Sequence, residues 1–301
     1  MAESSTHGNG HNTQIASEAK QAGQASGGGS LSERVRAIKP ASAGHGDTKA
    51  SPSKVAATAH GTAAKPALGG GHTSPWSYSG ENGPDRWGLL KAEYEACGKG
   101  RMQSPINLQG PAVQGEVDIE FDYKASVLQV LNNGHTFQVG YGAGSGISIN
   151  GERFELLQFH FHSPSEHGRD GKRYPIEAHL VHKNAKGQLA VVGVFMESGA
   201  ENIALMEMWD HMPMQAGASA THARVAINAG DLVPSGTQFY RYMGSLTTPP
   251  CSEGVNWFVS NKTVTVSRAQ IEKFLQAVGG ENARPLQALN NRLLSGPSLN
   301  K

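Results

Sequence analysis

The sequence predicts a single globular domain of the mixed α/β (α+β) class, rich in short β-strands and poor in helices, behind a long low-complexity tail. All 20 aromatic residues of the 301-residue chain (4 Trp, 7 Tyr and 9 Phe) lie in residues 75–301, so the apolar core is expected there. Runs of β-favouring residues in this region are separated by Asn-Gly or Lys-Gly, which are typical hairpin turns. Helical spacing of apolar residues recurs only twice, which favours a strand-dominated fold.

Residues 1–74 differ in composition from the rest of the chain. They are rich in Ala, Gly and Ser and carry seven basic and four acidic side chains, a net +3, which leaves −2 for residues 75–301. Without aromatic side chains, this segment cannot bury enough apolar surface to offset the entropy of ordering it. We therefore predict that residues 1–74 are a disordered tail and that residues 75–301 are the functional domain.

Charge and hydropathy exclude two kinds of partner. The chain has 26 basic and 25 acidic residues, and a net charge of +1 gives no support to a nucleic-acid partner. No run of 18 apolar residues occurs, so no membrane-spanning helix is predicted. The first 30 residues also lack the apolar core of about 7–15 residues that a signal peptide needs. A near-neutral chain of this kind favours a small-molecule substrate.

The predicted elements follow the turn signals along the chain. Strands are predicted at 127–131, 136–141, 146–150, 152–162, 176–182 and 189–196. The Asn-Asn-Gly, Asn-Gly and Lys-Gly sequences between successive strands supply tight turns. Helices are predicted at 203–212 and 267–278, and Ser267 is a residue type that commonly caps a helix N-terminus.

Two histidines alternate with phenylalanines near the end of one predicted strand. Because side chains two residues apart on a strand share one face, His160 and His162 project to the same side as Gln158. Phe159 and Phe161 then point to the opposite side, toward a core. Two imidazoles on one face can converge on a metal ion, although such a pair also occurs by chance on surface strands.

A third histidine comes from the next predicted strand. His179 and Glu177 share one face of that strand, whereas His182 lies on the other. If the two strands pair antiparallel, His179 completes a set of three imidazoles, the pattern of a catalytic zinc site with one open position. Gln158 and Glu177 are placed to accept the second N–H of His160 and His179. The alternative is a set of satisfied core histidines without a metal.

Eight sequence motifs in residues 75–301 are similar, in type and order, to those of the α-class carbonic anhydrases, particularly the bacterial members. The matching segments are WSYSGENGPDRW (76–87), QSPINL (103–108), NNGHTF (132–137), QFHFHSPSEH (158–167), EAHLVH (177–182), LAVVGVF (189–195), GSLTTPPCSEGVNW (244–257) and ARPLQALNNR (283–292). The resemblance implies a single domain with a large, mostly antiparallel, twisted central β-sheet flanked by short helices.

The resemblance also implies a reaction. It is the zinc-dependent, reversible hydration of carbon dioxide to bicarbonate and a proton by zinc-bound hydroxide, with zinc held by His160, His162 and His179. Thr247 is expected to accept a hydrogen bond from that hydroxide and to donate one to Glu166, which orients the nucleophile. The implied partner is a small molecule and not a nucleic acid or a membrane, and a homodimer stays open.

A substrate wall and a proton route are implied as well. The substrate-binding residues are expected to be Val181, Val191, Leu246, Thr248, Val255 and Trp257. His135 is expected to be the proton shuttle, because an imidazole with a pKa near 6.5 accepts and releases protons near neutrality. Tyr78, Asn133 and Gln138 are expected to line the polar side that orders the intervening water.

The two cysteines, Cys97 and Cys251, match a disulfide of secreted and bacterial family members. A disulfide favours an oxidising compartment, so we expect a periplasmic or secreted protein whose signal peptide has been removed; two free thiols in a cytoplasmic protein are the alternative. The resemblance further implies cis peptide bonds before Pro105 and Pro250. Two rival functions stay open at this stage: a zinc-dependent esterase, and a non-catalytic binding module that resembles a carbonic anhydrase.

Overall fold

A twisted sheet of ten strands organises the described part of the chain, which comprises residues 75–109, 113 and 118–297 of a computed structural model. The described residues form twelve strands, ten of which belong to this sheet. They are β1 (Asn107–Leu108), β2 (Ile119–Asp122), β3 (Ser126–Asn132), β4 (Phe137–Gly140), β5 (Gly146–Ile149), β6 (Glu152–His162), β7 (Gly168–Arg169), β8 (Ile176–Asn184), β9 (Leu189–Ser198), β10 (Ser219–Ile227), β11 (Phe239–Ser245) and β12 (Glu253–Val266). The predicted tail at residues 1–74 lies outside the described residues.

The large sheet runs in the order β10-β3-β4-β6-β8-β9-β12-β11, and β5 pairs with both β2 and β6. Within it, every neighbouring pair is antiparallel except β9 with β12. β1 and β7 form a separate two-stranded parallel sheet. The mostly antiparallel central sheet expected from the sequence is therefore confirmed.

Helices are few and short in the described residues. They are α1 (Trp87–Leu90), α2 (Ala96–Lys99), α3 (Ile203–Asp210) and α4 (Arg268–Val278), with 3-10 turns at Gly80–Asn82, Pro84–Arg86, Ala92–Tyr94 and Ala229–Leu232. None of these helices is long and apolar enough to cross a membrane. α4 begins at the predicted cap, where Ser267 and Gln270 exchange the hydrogen bonds of a capping box, and it ends at Gly279, whose φ is +82°.

All six predicted strands and both predicted helices form, with ends that differ by a few residues. The sequence did not indicate the other six strands, which are β1, β2, β7, β10, β11 and β12. In β10 most side chains are exposed, so the apolar alternation that marks a half-buried strand is missing. This strand lies at the edge of the sheet, where it is held by hydrogen bonds to β3.

Strand alternation divides the side chains of β6 and β8 between two environments. Phe159, Phe161 and Leu180 enter the main hydrophobic core on one side of the sheet. His182 lies on that side as well, where the Tyr123 hydroxyl is 2.8 Å from its Nε2. The three histidines of the candidate metal set project from the opposite side.

A disulfide joins Cys97 in α2 to Cys251 in the loop that follows β11. Both cysteines pack in a small cluster with two tryptophans of the N-terminal segment. This bridge therefore ties that segment to the loop that carries the sequence LTTPP at 246–250. Cis peptide bonds precede Pro105 and Pro250 as expected, and a third one, which was not expected, precedes Pro164.

Candidate metal centre and active site

Antiparallel pairing of β6 with β8 brings three histidines together. His160 lies directly opposite His179 in the register, and His162 follows two residues later on the same face. One ring nitrogen from each of the three lies within 4.8 Å of the others. The ring centroids are 5.0, 5.4 and 4.6 Å apart, so the imidazoles surround a common point without stacking on one another.

Hydrogen bonds fix the orientation of the two β6 imidazoles. His160 Nδ1 donates to the Gln158 side-chain oxygen at 2.9 Å, and His162 Nδ1 donates to the backbone carbonyl of Asn282 at 2.8 Å. Because the acceptors are carbonyl oxygens, Nδ1 carries the proton and Nε2 keeps its lone pair in both rings. Burial lowers the pKa of both imidazoles, and His160 is held well below the usual range, which favours the neutral form that metals bind.

Glu177 supports the third imidazole from behind. Its Oε1 lies 2.8 Å from His167 Nδ1 and 3.1 Å from His179 Nε2, where the ion-pair distance is short but the angle does not form a hydrogen bond. Burial alone raises the pKa of Glu177, but the imidazoles of His167 and His179 outweigh it and hold the pKa well below the usual range. Since His167 also donates its backbone N–H to Oε2 at 2.8 Å, we regard His167, Glu177 and His179 as a supporting network and not as a second metal set.

The donor set fits a transition metal. Three imidazole nitrogens converge from two strands, and the Nε2 atom of His162 is buried without a hydrogen-bond partner among the described residues. An unpartnered buried nitrogen costs free energy unless a ligand satisfies it. Neutral imidazoles suit zinc, copper, iron and nickel, and three of them with an open position are typical of catalytic zinc.

Glu166 lies fully buried beside this set. Its Oε1 accepts the backbone N–H of Arg284 at 2.9 Å, and its Oε2 is 3.5 Å from His162 Nε2 and 3.8 Å from His179 Nδ1. Thr247 is also buried. Among the described residues, Oε2 of Glu166 has no hydrogen-bond partner, so the expected bond from the Thr247 hydroxyl is not present in this structure. The role expected for this pair of residues therefore stays a prediction.

The residues expected to line the substrate wall come together in one apolar cluster. Val181, Val191, Val255 and Trp257 are buried in it, and Leu246 is partly buried against it. The Trp257 ring lies 4.8 Å from the His179 ring, which joins the wall to the metal set. Thr248 follows the wall in the loop after β11, where its backbone carbonyl accepts the N–H of Cys251 at 2.8 Å.

His135 lies in the turn between β3 and β4, outside the metal set. Its ring stacks on Trp76 with centroids 3.8 Å apart, and the Tyr78 ring is 6.2 Å away. Burial lowers the pKa of His135 below 6.5. Asn133 shapes the turn, since its side-chain oxygen accepts the backbone N–H groups of His135 and Thr136 at 2.9 Å each.

Gln138 connects the turn to the metal set, because it lies directly opposite His160 in the pairing of β4 with β6.

Sequence reasoning missed two residues of this site. Asn282 acts through a backbone carbonyl 120 positions from His162, which leaves no side-chain signal in a sequence. Trp76 stood at the start of a recognised motif, but its partner His135 could only be identified from the fold.

Comparison with known proteins finds relatives that match most of the chain. The family model for eukaryotic-type carbonic anhydrases matches residues 82–296. A carbonic anhydrase of Neisseria gonorrhoeae is 43% identical over 235 residues, which cover 77% of this chain and 92% of that protein.

Solved structures give the same result. A hyperthermostable carbonic anhydrase identified from an active hydrothermal vent chimney is 47% identical, with a TM-score of 0.71, over 73% of this chain and 99% of the other. The α-carbonic anhydrase of Thermovibrio ammonificans, solved with the inhibitor sulfanilamide, is 44% identical, with a TM-score of 0.70, over 75% of this chain and 100% of the other. Sequence and fold therefore agree over the described domain.

Proposed function

The chain belongs to the eukaryotic-type, or α-class, carbonic anhydrase family of enzymes, and we propose that His160, His162 and His179 hold a zinc ion with which it hydrates carbon dioxide. The observation that carries this proposal is the convergence of one nitrogen from each histidine within 4.8 Å. When bound, zinc would act as a Lewis acid that lowers the pKa of its bound water to about 7, so that hydroxide is available near neutral pH.

The surrounding side chains prepare the three imidazoles for this role. Gln158 and the Asn282 carbonyl each hold an Nδ1 proton, so the Nε2 lone pairs of His160 and His162 are presented to the ion. The Glu177 carboxylate lies at the far nitrogen of His179, and its charge raises the basicity of that ring.

We assign Glu166 and Thr247 to the orientation of the attacking oxygen. The Arg284 backbone N–H fixes one oxygen of Glu166, and burial excludes water from the other. That second oxygen has no hydrogen-bond partner in the described residues, so it is available to accept the Thr247 hydroxyl. Once the Thr247 hydroxyl has donated its hydrogen to Glu166, it can only accept a hydrogen bond from the attacking oxygen. This hydrogen bond directs a lone pair of the attacking oxygen at the substrate.

The apolar wall supplies a dry place for carbon dioxide, a small molecule without a net dipole. Val181, Val191 and Leu246 offer no hydrogen bond that would retain water next to the metal set, and Trp257 closes the wall behind His179. Val255 completes this surface, and Thr248 is assigned to its rim. The bicarbonate product is charged and is therefore bound less well by the same surface.

His135 is assigned to proton export. Burial lowers the pKa of this imidazole below 6.5, so a proton that it accepts is readily passed on to buffer. We expect the polar side chains of Tyr78, Asn133 and Gln138 to order water between His135 and the metal set. The stacking of His135 on Trp76 gives the imidazole a defined position from which the exchange takes place.

The disulfide supports a periplasmic or secreted location for the enzyme, because such bonds persist in oxidising compartments. Because the chain belongs to a family of enzymes, we do not propose the alternative of a non-catalytic binding module. An esterase activity would use the same metal site on a bulkier substrate, and no feature of the wall favours it.

Measurement of zinc content and carbon dioxide hydration on the same samples tests the ligand assignment. Full-length wild type, His179→Ala and the tail variant His45→Ala are compared, the last as a matched histidine-to-alanine control. We expect about one zinc ion per chain and full activity in wild type and His45→Ala, and loss of both in His179→Ala. A His179→Ala enzyme that keeps stoichiometric zinc and full turnover would overturn the assignment.

A further inference from the structure

Two more histidines meet outside the active site, at the end of α3 and on the edge strand β10. His211 is the C-terminal cap residue of α3, and His222 lies on β10. Their ring centroids are 4.2 Å apart with an angle of 66° between the planes. β10 is three strands from β6 in the sheet, a lateral distance of about 14 Å at the usual strand spacing. The pair is therefore separate from the metal set of the active site.

Each ring of this pair has an Nε2 atom that makes no hydrogen bond to the described residues. His211 Nδ1 donates to the Glu207 backbone carbonyl at 2.9 Å, so its Nε2 keeps a lone pair. The Nε2 atom of His222 is screened from water and has no hydrogen-bond partner in the described residues. A carbonyl that fixes Nδ1 and leaves Nε2 for a ligand is the arrangement that also holds His162 in the active site.

The local backbone favours a cation at this point. A bulge follows His222, because its register partner is Leu128 whereas Ala226 already pairs with Val127. Bulges change the direction of side chains and are frequent at functional sites. The C-terminal end of α3 also carries the negative end of the helix dipole, which attracts a positive charge beside His211.

We propose that His211 and His222 form a second metal site, which takes a divalent transition ion with two imidazoles and water as ligands. The 4.2 Å centroid separation of this pair is slightly shorter than the 4.6 to 5.4 Å of the three histidines proposed to hold zinc. Among divalent ions, copper binds nitrogen ligands most tightly. A bound ion joins the end of α3 to the edge of the sheet.

Copper titration of the zinc-loaded, full-length enzyme tests the proposal. Electron paramagnetic resonance counts the bound Cu2+ ions and reports how many nitrogens bind each one, while the zinc content is followed to show that the active site keeps its ion. We expect His211→Gln and His222→Gln each to lose the same single Cu2+ equivalent, which in wild type shows two nitrogen ligands. Glutamine keeps a similar size and polarity without an imidazole.

The tail carries five further histidines that can bind copper: His7, His11, His45, His60 and His72. They are unchanged in both glutamine variants, so only the difference from wild type reports on the proposed site. Unchanged copper stoichiometry and spectra in both variants would overturn the proposal and leave an N–H···π contact between the two rings as the reason for their approach. Loss in one variant alone would overturn shared coordination.

Wild-type crystals soaked in copper provide a test that does not depend on the folding of a variant. An anomalous difference peak about 2 Å from the Nε2 atoms of both His211 and His222 is the expected result. A peak at the active site or on the tail, with none between these two rings, would contradict it.

Discussion

Reduction of the Cys97–Cys251 disulfide is expected to lower the melting temperature strongly. The bridge joins residues 154 positions apart, and the chain-entropy estimate for closing a loop of that length is about 5 kcal/mol. In a domain of roughly 150–250 residues, 1 kcal/mol shifts Tm by about 2–4 °C. Reduction should therefore lower Tm by about 10–20 °C, because it removes a cross-link that restricts the conformational entropy of the unfolded chain. In the folded protein the loop also contacts Gln103, whose side-chain amide donates to the Cys251 carbonyl at 3.1 Å.

Scanning calorimetry of the full-length enzyme with and without a phosphine reductant measures this shift. Thiol titration establishes that reduction is complete, and the double variant Cys97→Ser/Cys251→Ser provides the control, since the reductant should not change its Tm. The double variant is expected to melt near the temperature of the reduced wild type. A wild-type Tm that is unchanged after complete reduction would refute the loop-closure reasoning, as would a double variant as stable as the oxidised enzyme.

The remaining predictions concern proton transfer, acid stability and ligand orientation. His135→Ala should slow carbon dioxide hydration by about 10²-fold in weak buffer and be partly rescued by added imidazole; unchanged stopped-flow rates would assign the proton to another group. Burial lowers the pKa of His182 to about 3, so between pH 6.5 and pH 3 this imidazole is protonated in the unfolded chain but not in the folded protein. The free energy of unfolding should therefore fall by roughly 4–5 kcal/mol as pH drops from 6.5 to 3. Urea unfolding of wild type and His182→Gln checks this, and equal pH slopes would contradict it. Gln158→Ala should weaken zinc binding by about 10–100-fold in a chelator competition, with the exposed Gln129→Ala as control, and an unchanged affinity would exclude the orienting role.

The sheet and the metal set were predictable where local signals are strong. Alternation along Gln158–His162 already placed two histidines on one face and two phenylalanines in the core, because a strand has no other way to arrange them. An antiparallel pair of neighbouring strands was assumed from the sequence, but the register that sets His179 opposite His160 was known only from the structure. Family resemblance then assigned residues such as His135, whose local sequence indicates a turn and nothing about chemistry.

Features that depend on distant parts of the chain could not be predicted. The Asn282 carbonyl reaches His162 across 120 positions, and a backbone acceptor leaves no trace in residue type. β10 lacks an apolar alternation because its side chains face water, and its place at the edge follows from pairing with β3. Glu166 lies 3.5 Å from His162 Nε2 and accepts the backbone N–H of Arg284, which is 118 positions away, and no sequence pattern specifies that contact.

We propose that His160, His162 and His179 hold the one zinc ion with which this enzyme hydrates carbon dioxide. Stopped-flow hydration with a pH indicator, on the full-length protein as purified, after zinc removal by a chelator and after zinc is restored, tests it most directly. We predict rapid hydration with about one zinc ion per chain, loss of the rate on chelation and its return with one equivalent of zinc. Full zinc occupancy without hydration, or hydration that persists in the zinc-free protein, would contradict the account.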